Sequence, residues 1–513
     1  MRMHLALTWA MATVFAASSF LPATAPADDA QSLLAKHKAF VGWQFGDGSV
    51  QSLILDRTYT RGGKVTQRAT EKRLGLAYRR DYQAIKEHGG GGSTGFTGNV
   101  FWTTSDNGFT VPMVGDTAKY YLAVDALFME GTPELPATLR PSATVDGKSV
   151  NVLRITMNGA LPYDVYEDPS TGAFVQAVID PGGLQETTVK IASYVDLAPG
   201  KKFIGTWSLD NDDGRYTYTK VTVNAAVGAV DLHPPAPKAT WTFANNQPFK
   251  IRVTDSRIYV DAKVNGVQGR FILDTGAAGI ALTDDFANRA NVKTVDRSSS
   301  FGIGGVAKDL VRKADTVEIG GNTLSNVVVT SLNEKFNDSQ NNEEPVGLMG
   351  FDVFGGAIVN LSLSSGTMSI TDPSNGAAPA PQGGYPFAVD LATFQPRVPV
   401  KLDDKLEILA TLDTGGSSLV LMSDQVEHHG VNLLANREYG GNAIIGGVGG
   451  YELTTCGPLA RIAVGPFVYT GTEACESPAW GLHDGLLGFD FLKHFDYVFD
   501  YPHALMYMIP HKS

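Results

Sequence analysis

Three short blocks of sequence occur twice in the second half of this chain, in the same order and at nearly the same spacing. In each copy an apolar strand leads into Asp-Thr-Gly, a Gly-Gly pair follows, and an apolar segment then ends in Gly-Phe-Asp. The copies are 271–277 and 410–416, 303–306 and 445–448, and 347–352 and 485–490, at offsets of 139, 142 and 138 residues. One Asp-Thr-Gly arises by chance in roughly one of ten chains of this size. Two copies with the same following blocks therefore indicate a duplicated unit.

Two proline-rich passages, 233–237 and 372–384, divide the chain on either side of the first copy. Their composition is typical of extended linkers. The cuts predict a β-rich N-terminal domain over 28–235, a first repeat over 240–372 and a second repeat over 385–513. A chain of 513 residues is long enough for three such units, because domains average roughly 150 residues.

The N-terminus has the pattern of a secretory signal peptide. Arg2 precedes an apolar run over 5–21, and the small-residue site Ala25-Pro26-Ala27 follows. The run is shorter than the roughly 20 apolar residues that a membrane-spanning helix needs. We therefore expect a signal peptide over 1–27 that is cut after Ala27, and an exported protein, periplasmic or secreted, with no stable membrane span.

Composition excludes several classes of protein. The 53 acidic residues outnumber the 41 basic ones, the net charge is −12, and no stripe dense in Lys and Arg is present to meet nucleic-acid phosphates. A hydrophobic share of 43% with 18% charged residues excludes a disordered chain and a membrane bundle. The 56 Gly and 26 Pro favour short strands and many turns, hence a mainly β fold.

The first segment begins with one predicted helix, which Asp29 caps and which ends before Gly42. Strand patterns follow, with hairpin turns at 168–172 and 210–214. One helix followed by a long antiparallel meander resembles the half-open barrel of periplasmic lipoprotein-carrier proteins, in the order of its elements alone. The resemblance implies a hydrophobic ligand in this domain. A pro-domain that shields a cleft and a substrate-docking module remain the alternatives.

The repeated blocks resemble the retropepsin family of aspartic proteases over roughly 250–510. Apolar-Asp-Thr-Gly is that family's catalytic loop, the Gly-rich hairpin its flap, and apolar-Gly the segment before a short helix. The resemblance implies two β-barrel lobes related by a pseudo-two-fold axis. Since both lobes lie in one chain, they would pair internally, and we expect a monomer. It also implies an endopeptidase that hydrolyses a polypeptide substrate, with no cofactor and no metal.

The residues themselves explain how such a pair would work. An apolar strand that runs into Asp-Thr-Gly places a carboxyl group at the strand end. Two such loops that meet across a pseudo-two-fold axis would set Asp274 and Asp413 side by side. Like charges about 3 Å apart cannot both ionise, as in aspartic proteases generally, so the pair would share one proton and titrate as a unit. The charged partner is then a general base for water, and the protonated partner polarises the scissile carbonyl.

The remaining motif residues take supporting roles in this prediction. The resemblance assigns hydrogen bonds between the lobes to Thr275 and Thr414. Gly276 and Gly415 would allow a close approach that a side chain would block. A flexible flap that closes over substrate would use glycines, and the predicted ones are Gly304, Gly305, Gly446 and Gly447.

One departure from the family bears on the pH dependence. Ala277 and Gly416 follow the two Asp-Thr-Gly triplets, where pepsin-like enzymes commonly carry a hydroxyl. Without that hydroxyl the carboxylates lose a hydrogen bond that favours their charged form. We therefore expect the pKa values of the pair to exceed those of pepsin, and activity under mildly acidic to near-neutral conditions.

Several weaker patterns have simpler explanations. The stretch 302–307 matches a Gly-x-Gly-x-x-Ala nucleotide fingerprint, but it lacks a βαβ context and fits the flap better. The histidines in 427–429 and 483–484 follow no defined metal-site spacing, so solvated loops are expected there. Cys456 and Cys475, 19 residues apart, predict a disulfide in an exported protein. A non-catalytic peptide or lipid binder on the same fold stays the alternative to a protease.

Overall fold

The computed structural model describes residues 29–85, 91–129, 135–210, 212–336, 338, 341–422, 441–477 and 485–511. The predicted signal peptide and the histidines of 427–429 and 483–484 lie outside these ranges. Over the described ranges the fold is mainly β, as the sequence predicts. No helix in this part of the chain is long and apolar enough to cross a membrane.

The N-terminal domain is built on one sheet of 13 antiparallel strands. Its strands are β1 (Ser52–Arg61), β2 (Lys64–Leu74), β3 (Ala77–Ala84), β4 (Ser93–Phe96), β5 (Phe101–Thr104), β6 (Thr110–Pro112), β7 (Ala137–Val145), β8 (Lys148–Ile155), β9 (Tyr163–Glu167), β10 (Phe174–Ile179), β11 (Thr187–Ala198), β12 (Lys201–Leu209) and β13 (Arg215–Val223). Strands β1 to β6 form one meander and β7 to β13 another, and the pairing of β1 with β13 joins them. The predicted meander and its two hairpins are confirmed.

Two helices pack on this sheet, where the sequence predicts one. Helix α1 (Ala30–Val41) begins and ends as predicted: the Asp29 carboxyl accepts a hydrogen bond of 2.7 Å from the Ser32 amide, and Gly42 ends it in a left-handed conformation. Helix α2 (Gly115–Phe128) contradicts the prediction of a single helix. It begins with a glycine and has no side-chain cap, so it lacks the local signals that mark a helix start.

Both helices contribute to the hydrophobic core of this domain. Leu33 and Leu34 of α1 and Leu127 and Phe128 of α2 are buried in one cluster with side chains from both meanders. The two helices are therefore fixed parts of the domain, because their apolar faces cover the sheet. The hydrophobic ligand stays a prediction.

The C-terminal half contains the two predicted lobes. Lobe 1 consists of β14 (Thr240–Thr242), β15 (Phe249–Lys250), β16 (Arg252–Val253), β17 (Ile258–Val264), β18 (Val267–Leu273), β19 (Ala281–Thr283), α3 (Asp284–Arg289), β20 (Lys293–Gly302), β21 (Gly305–Ile319), β22 (Asn322–Leu332), β23 (Gly347–Met349), α4 (Phe351–Phe354), β24 (Ile358–Ser362) and β25 (Thr367–Thr371). Lobe 2 consists of β26 (Tyr385–Ala388), β27 (Arg397–Leu402), β28 (Leu406–Leu412), β29 (Leu419–Met422), β30 (Gly441–Gly447), β31 (Gly450–Val464), β32 (Phe467–Ser477), β33 (Gly485–Leu487), α5 (Phe489–Leu492), β34 (Phe495–Asp500) and β35 (Leu505–Pro510).

Each lobe closes into a six-stranded barrel. In lobe 1 the strands pair in the order β17, β18, β23, β19, β22 and β21, and β21 pairs back with β17. In lobe 2 the equivalent ring is β27, β28, β33, β29, β32 and β31, closed by β31 with β27. Strands β20 and β30 pair with the outer parts of β21 and β31 to form the flaps. The identical pairing order confirms the duplicated barrel that the sequence predicts.

A six-stranded sheet joins the lobes. Its order is β15, β25, β24, β34, β35 and β26, and β24 of lobe 1 pairs antiparallel with β34 of lobe 2. Phe354 of lobe 1 packs edge-on against Phe499 of lobe 2, with ring centroids 5.2 Å apart. One hydrophobic core therefore runs through both barrels and this sheet, and it fixes their relative orientation.

The N-terminal domain docks on lobe 1 through the turn between β5 and β6. The Asn107 side-chain amide donates to the Val328 carbonyl at 2.9 Å, and the Val328 amide donates to the Asn107 side-chain oxygen at 2.7 Å. Phe109 and Val111 lie in the core cluster of the lobes and not in that of their own domain. This domain is thus anchored by hydrogen bonds and by buried apolar side chains.

Most residues of the two proline-rich passages are exposed, and single hydrogen bonds attach the chain at or beside each passage to the domains. After the first passage, the Lys238 amide donates to the Asn107 backbone carbonyl at 2.9 Å. In the second, Ala378 is buried and its amide donates to the Asp500 carboxylate at 2.7 Å. These hydrogen bonds satisfy backbone groups that water would otherwise solvate.

Candidate active site

The two Asp-Thr-Gly loops begin where β18 and β28 end, as the sequence predicts. The Asp274 amide donates to the Met349 carbonyl at 3.0 Å, and the Asp413 amide donates to the Leu487 carbonyl at 3.0 Å. These bonds tie each loop to the short strand that runs parallel beside it, β23 or β33. The equivalent anchoring places both aspartates at the junction between the lobes.

The carboxyl groups of Asp274 and Asp413 are adjacent and hydrogen-bonded to each other. The Asp413 carboxyl group lies over Gly276, and the Asp274 carboxyl group lies over Gly415. A methyl group at Gly276 would lie 2.6 Å from Cγ of Asp413, and one at Gly415 would lie 2.4 Å from Cγ of Asp274. Any side chain at either position would therefore displace a carboxyl group, which is the close approach that the sequence predicts for these glycines.

The two threonines cross-link the loops. The Thr275 amide donates to Oγ1 of Thr414 at 3.0 Å, and the Thr414 amide donates to Oγ1 of Thr275 at 3.1 Å. Each hydroxyl in turn donates to a carbonyl of the other lobe, Leu412 at 2.6 Å and Leu273 at 2.8 Å. Both side chains are buried, so these four bonds hold the loops rigidly in a site with little access to water.

The environments of the two aspartates differ by one hydrogen bond. Oδ1 of Asp274 accepts from the Gly276 amide at 2.8 Å. Oδ1 of Asp413 accepts from both the Gly415 and Gly416 amides, each at 2.8 Å. The Asp413 carboxyl group thus accepts one more backbone hydrogen bond than that of Asp274.

The pKa of Asp274 lies well above its usual range. Burial is the main cause, and the negative charge of Asp413 and the hydrogen bond between the carboxyl groups raise the pKa further. The positive charge of Arg257 lowers it by a smaller amount. The two carboxyl groups interact strongly, so this raised pKa describes the pair and its shared proton.

The flap tips meet above the site, but not in the register that the sequence predicts. The turns of the hairpins are Ile303-Gly304 and Val448-Gly449, and the Gly304 amide donates to the Val448 carbonyl at 3.2 Å. The counterpart of Gly304 is therefore Gly449, and that of Gly305 is Gly450. Gly446 and Gly447, predicted as these counterparts, are the last two residues of β30.

Glycine is required where the two tips touch. A methyl group at Gly304 would lie 2.4 Å from the backbone nitrogen of Gly450. Four of the five residues over 446–450 are glycine. This run allows more than one alignment with the first copy, so only the strand pairing reveals the three-residue shift.

Two acidic residues near the loops have contacts that the sequence motifs do not indicate. The Gly449 amide donates to Oε1 of Glu334 at 3.3 Å, so lobe 1 holds the flap tip of lobe 2. Asp352, behind the Asp274 loop, accepts from the Ile280 amide at 3.0 Å and from the Asn107 side chain. Burial raises the pKa of Asp352 to about 7. Its equivalent in the second copy, Asp490, is exposed. The same Gly-Phe-Asp sequence therefore places one aspartate in the interior and the other at the surface.

The remaining predicted site residues lie elsewhere. Cys456 and Cys475 form a disulfide between the paired strands β31 and β32. Across the described ranges, no group of three or more His, Cys, Asp or Glu side chains could hold a metal ion.

Known proteins resemble the two parts of the chain in different ways. Residues 260–353 and 398–491 each match the family model for aspartyl proteases, so each barrel lobe matches that model once. No curated protein matches the sequence.

Among solved structures, a DUF1329 family protein from Desulfovibrio piger has 10% identity and a TM-score of 0.29, covering 40% of this chain and 95% of that one. A domain described as an outer membrane lipoprotein-sorting protein, from Vibrio parahaemolyticus, has 12% identity and a TM-score of 0.28, covering 39% and 95%. Scores this low support no conclusion about function.

Proposed function

We propose that this chain, whose two barrel lobes each match the aspartyl protease family, is an exported aspartic endopeptidase. It hydrolyses peptide bonds with a water molecule that Asp274 and Asp413 activate. The observation that carries the proposal is the hydrogen-bonded pair of carboxyl groups at the junction of the lobes, with Asp274 buried and Asp413 half-buried. A structural role alone would not require two acids that repel each other when ionised.

The chemistry follows from the unequal hydrogen bonding. Asp413, which accepts from two amides, is the ionised partner and removes a proton from water. The water oxygen attacks the scissile carbonyl carbon while the proton on Asp274 moves to the carbonyl oxygen. The tetrahedral intermediate collapses when the C–N bond breaks, the leaving nitrogen takes the proton from Asp413, and one hydroxyl of the intermediate returns its proton to Asp274. A carboxylic acid and an amine result, and the pair again holds one proton.

The flaps determine how substrate enters and lies. Their tips are hydrogen-bonded to each other over the carboxyl pair, so they must separate to admit a peptide. An extended peptide fits between the flaps and the loops, because its backbone can hydrogen-bond there as an added strand. Closure then excludes bulk water from the reacting groups. Unfolded or extended polypeptides are therefore the expected substrates.

The test is incubation of the mature protein with a random peptide library between pH 3 and pH 8. We expect wild type to cleave extended peptides, and Asp274→Asn or a statine-type transition-state mimic to abolish cleavage. If wild type binds peptides without releasing product, the proposal is wrong and a non-catalytic binder takes its place. Circular dichroism of Asp274→Asn checks that the variant is folded.

The dependence on pH is a separate prediction. Because burial and the charge of Asp413 raise the pKa of Asp274, this carboxyl group keeps its proton to higher pH than an ordinary one. Activity falls as the pH rises through this upper pKa, since the proton that polarises the carbonyl is lost. We expect a bell-shaped kcat/KM profile with its maximum in the mildly acidic to near-neutral range. A maximum below pH 3 would contradict this prediction.

A further inference from the structure

The two lobes line the cleft with different residues. The strand pairing shows which residues of lobe 1 are equivalent to which residues of lobe 2. In lobe 1, Ile272 pairs with Leu348 across β18 and β23. In lobe 2, Thr411 pairs with Leu486 across β28 and β33. Both Ile272 and Thr411 precede the aspartate by two residues. Because side chains alternate along a strand, each points to the same side as the carboxyl group that follows it.

The second flap strand and the barrel strand that pairs with it complete the lining of the cleft in each lobe. Ala307 and Glu452 are each the third residue of the second flap strand, β21 and β31. The second flap strand pairs with β22 in lobe 1 and with β32 in lobe 2. Leu332 is the final residue of β22, and Ser477 is the final residue of β32. The equivalent positions therefore hold an alanine and a leucine in lobe 1, but a glutamate and a serine in lobe 2.

In lobe 1 these positions form an apolar lining beside Asp274. Six buried side chains make one cluster, with Ala277 and the tip residue Val448 of the opposite flap packed against it. Its buried members are Tyr259, Ile272, Ala281, Ala307, Leu332 and Leu348. A lining of this composition favours an apolar side chain of the substrate, because removing apolar surface from water is favourable.

In lobe 2 the same positions are polar. Thr411 and Ser477 are buried, and the Ser477 hydroxyl donates to Oε2 of Glu452 at 2.7 Å. No Lys, Arg or His of the described residues forms an ion pair with Glu452. Arg257, which acts on Asp274 electrostatically, lies 3.8 Å from Asp338 of its own lobe. Glu452, on the second strand of the lobe 2 flap, is thus partly buried, without a cationic partner from the described part of the chain.

We propose that the polar lining of lobe 2 binds a lysine or arginine side chain of the substrate through Glu452, while the apolar lining of lobe 1 contacts an apolar one. This inference rests on the proposed function and names its substrate class: peptides with an apolar residue and a basic residue on the two sides of the cleft. A partly buried carboxylate attracts a cation more strongly than one in bulk water, because the local dielectric constant is lower. The hydrogen bond from Ser477 holds the Glu452 carboxylate in place. The closed flap shields this carboxylate and the bound cation from solvent.

The experiment compares peptides that differ only in the residue that would face Glu452, which we call the lobe 2 position. This residue is lysine, norleucine or glutamate. We expect wild type to cleave the lysine peptide at least about tenfold more efficiently than the norleucine peptide, mainly through a lower KM. Glu452→Gln keeps the hydrogen bond from Ser477 and is expected to remove this preference. Glu452→Lys is expected to reverse it towards glutamate. The preference for an apolar residue on the lobe 1 side stays unchanged in all variants.

Glu473→Gln is the matched control, since Glu473 is an exposed acid on β32 of the same lobe. It is expected to keep the wild-type preference for lysine. If wild type shows no preference for a cation, or if Glu452→Gln retains one, the inference is overturned.

A binding measurement separates this inference from the proposed function. Statine-type peptides with lysine or norleucine at the lobe 2 position can be titrated against wild type and Glu452→Gln by calorimetry. If wild type cleaves nothing but still binds the lysine peptide about tenfold more tightly, and Glu452→Gln does not, catalysis fails and the subsite stands. Equal affinities in wild type overturn the subsite whatever the catalytic result.

Discussion

Asp413→Asn is expected to lower kcat by roughly 10²- to 10⁴-fold, because it removes the general base that takes a proton from water. Asparagine has nearly the same shape, and its carbonyl oxygen can still accept from the Gly415 and Gly416 amides. The loop geometry should therefore survive, and KM should change much less than kcat. Steady-state kinetics on a peptide found by the library screen measures both.

The stability of this variant distinguishes lost chemistry from lost structure. In the wild type the pKa of Asp274 is raised on folding, so the native state binds a proton more tightly than the unfolded chain does. The resulting stabilisation is present below the unfolded pKa and is lost as the pH rises towards the folded value. Replacing Asp413 by the neutral amide removes the charge that repels an ionised Asp274, and so relieves this loss. The variant should be at least as stable as wild type at pH 7 in thermal unfolding.

Asp490→Asn provides the control in the same lobe. Asp490 is exposed and pairs with Lys493 at 3.2 Å, an interaction worth at most about 1 kcal/mol. Its substitution should leave both kcat and stability nearly unchanged. A similar kcat in Asp413→Asn and wild type would show that this carboxyl group is not the base, and a large drop in melting temperature would show that the loop needs its charge.

The sequence predicts the carboxyl pair because its determinants are local. Asp, Thr and Gly are consecutive, so one motif specifies the charge, the cross-lobe hydroxyl and the space for the opposing carboxyl group. Duplication within one chain then requires the two copies to pair internally. The helix α1 is predictable for the same reason, since Asp29 and Gly42 mark both of its ends.

The features that the sequence does not predict depend on contacts between distant residues. The flap register is ambiguous because the glycines of 446–450 allow several turns, and the contact with Gly304 selects one of them. Glu452 carries no motif, and it gains its position from strand pairing with β30 and from Ser477. Asn107 reaches Asp352 and Val328 from another domain, which no local pattern could indicate.

The contact of Phe109 with the lobes bears directly on the role of the N-terminal domain. A pro-domain that is released after processing should leave behind a protease with a polar surface at the former interface. Phe109 instead lies in the core of the lobes, against Gly356 and Trp241. A methyl group at Gly356 would lie 2.4 Å from the Phe109 ring, so the glycine leaves room for that ring. This complementarity favours a permanent structural role for the domain.

Phe109→Ala is accordingly expected to destabilise the whole protein by about 3–5 kcal/mol, the usual effect of deleting a buried phenylalanine. Urea unfolding followed by tryptophan fluorescence and by loss of peptidase activity should show both transitions shifting together. Val100→Ala is the control, because Val100 is exposed near the same part of the sheet, and its effect should stay within about 0.5 kcal/mol. If Phe109→Ala instead lowers the free energy of unfolding by less than about 1 kcal/mol, the contact is dispensable. A domain that is cut away after it has shielded the cleft would then explain residues 28–235 better.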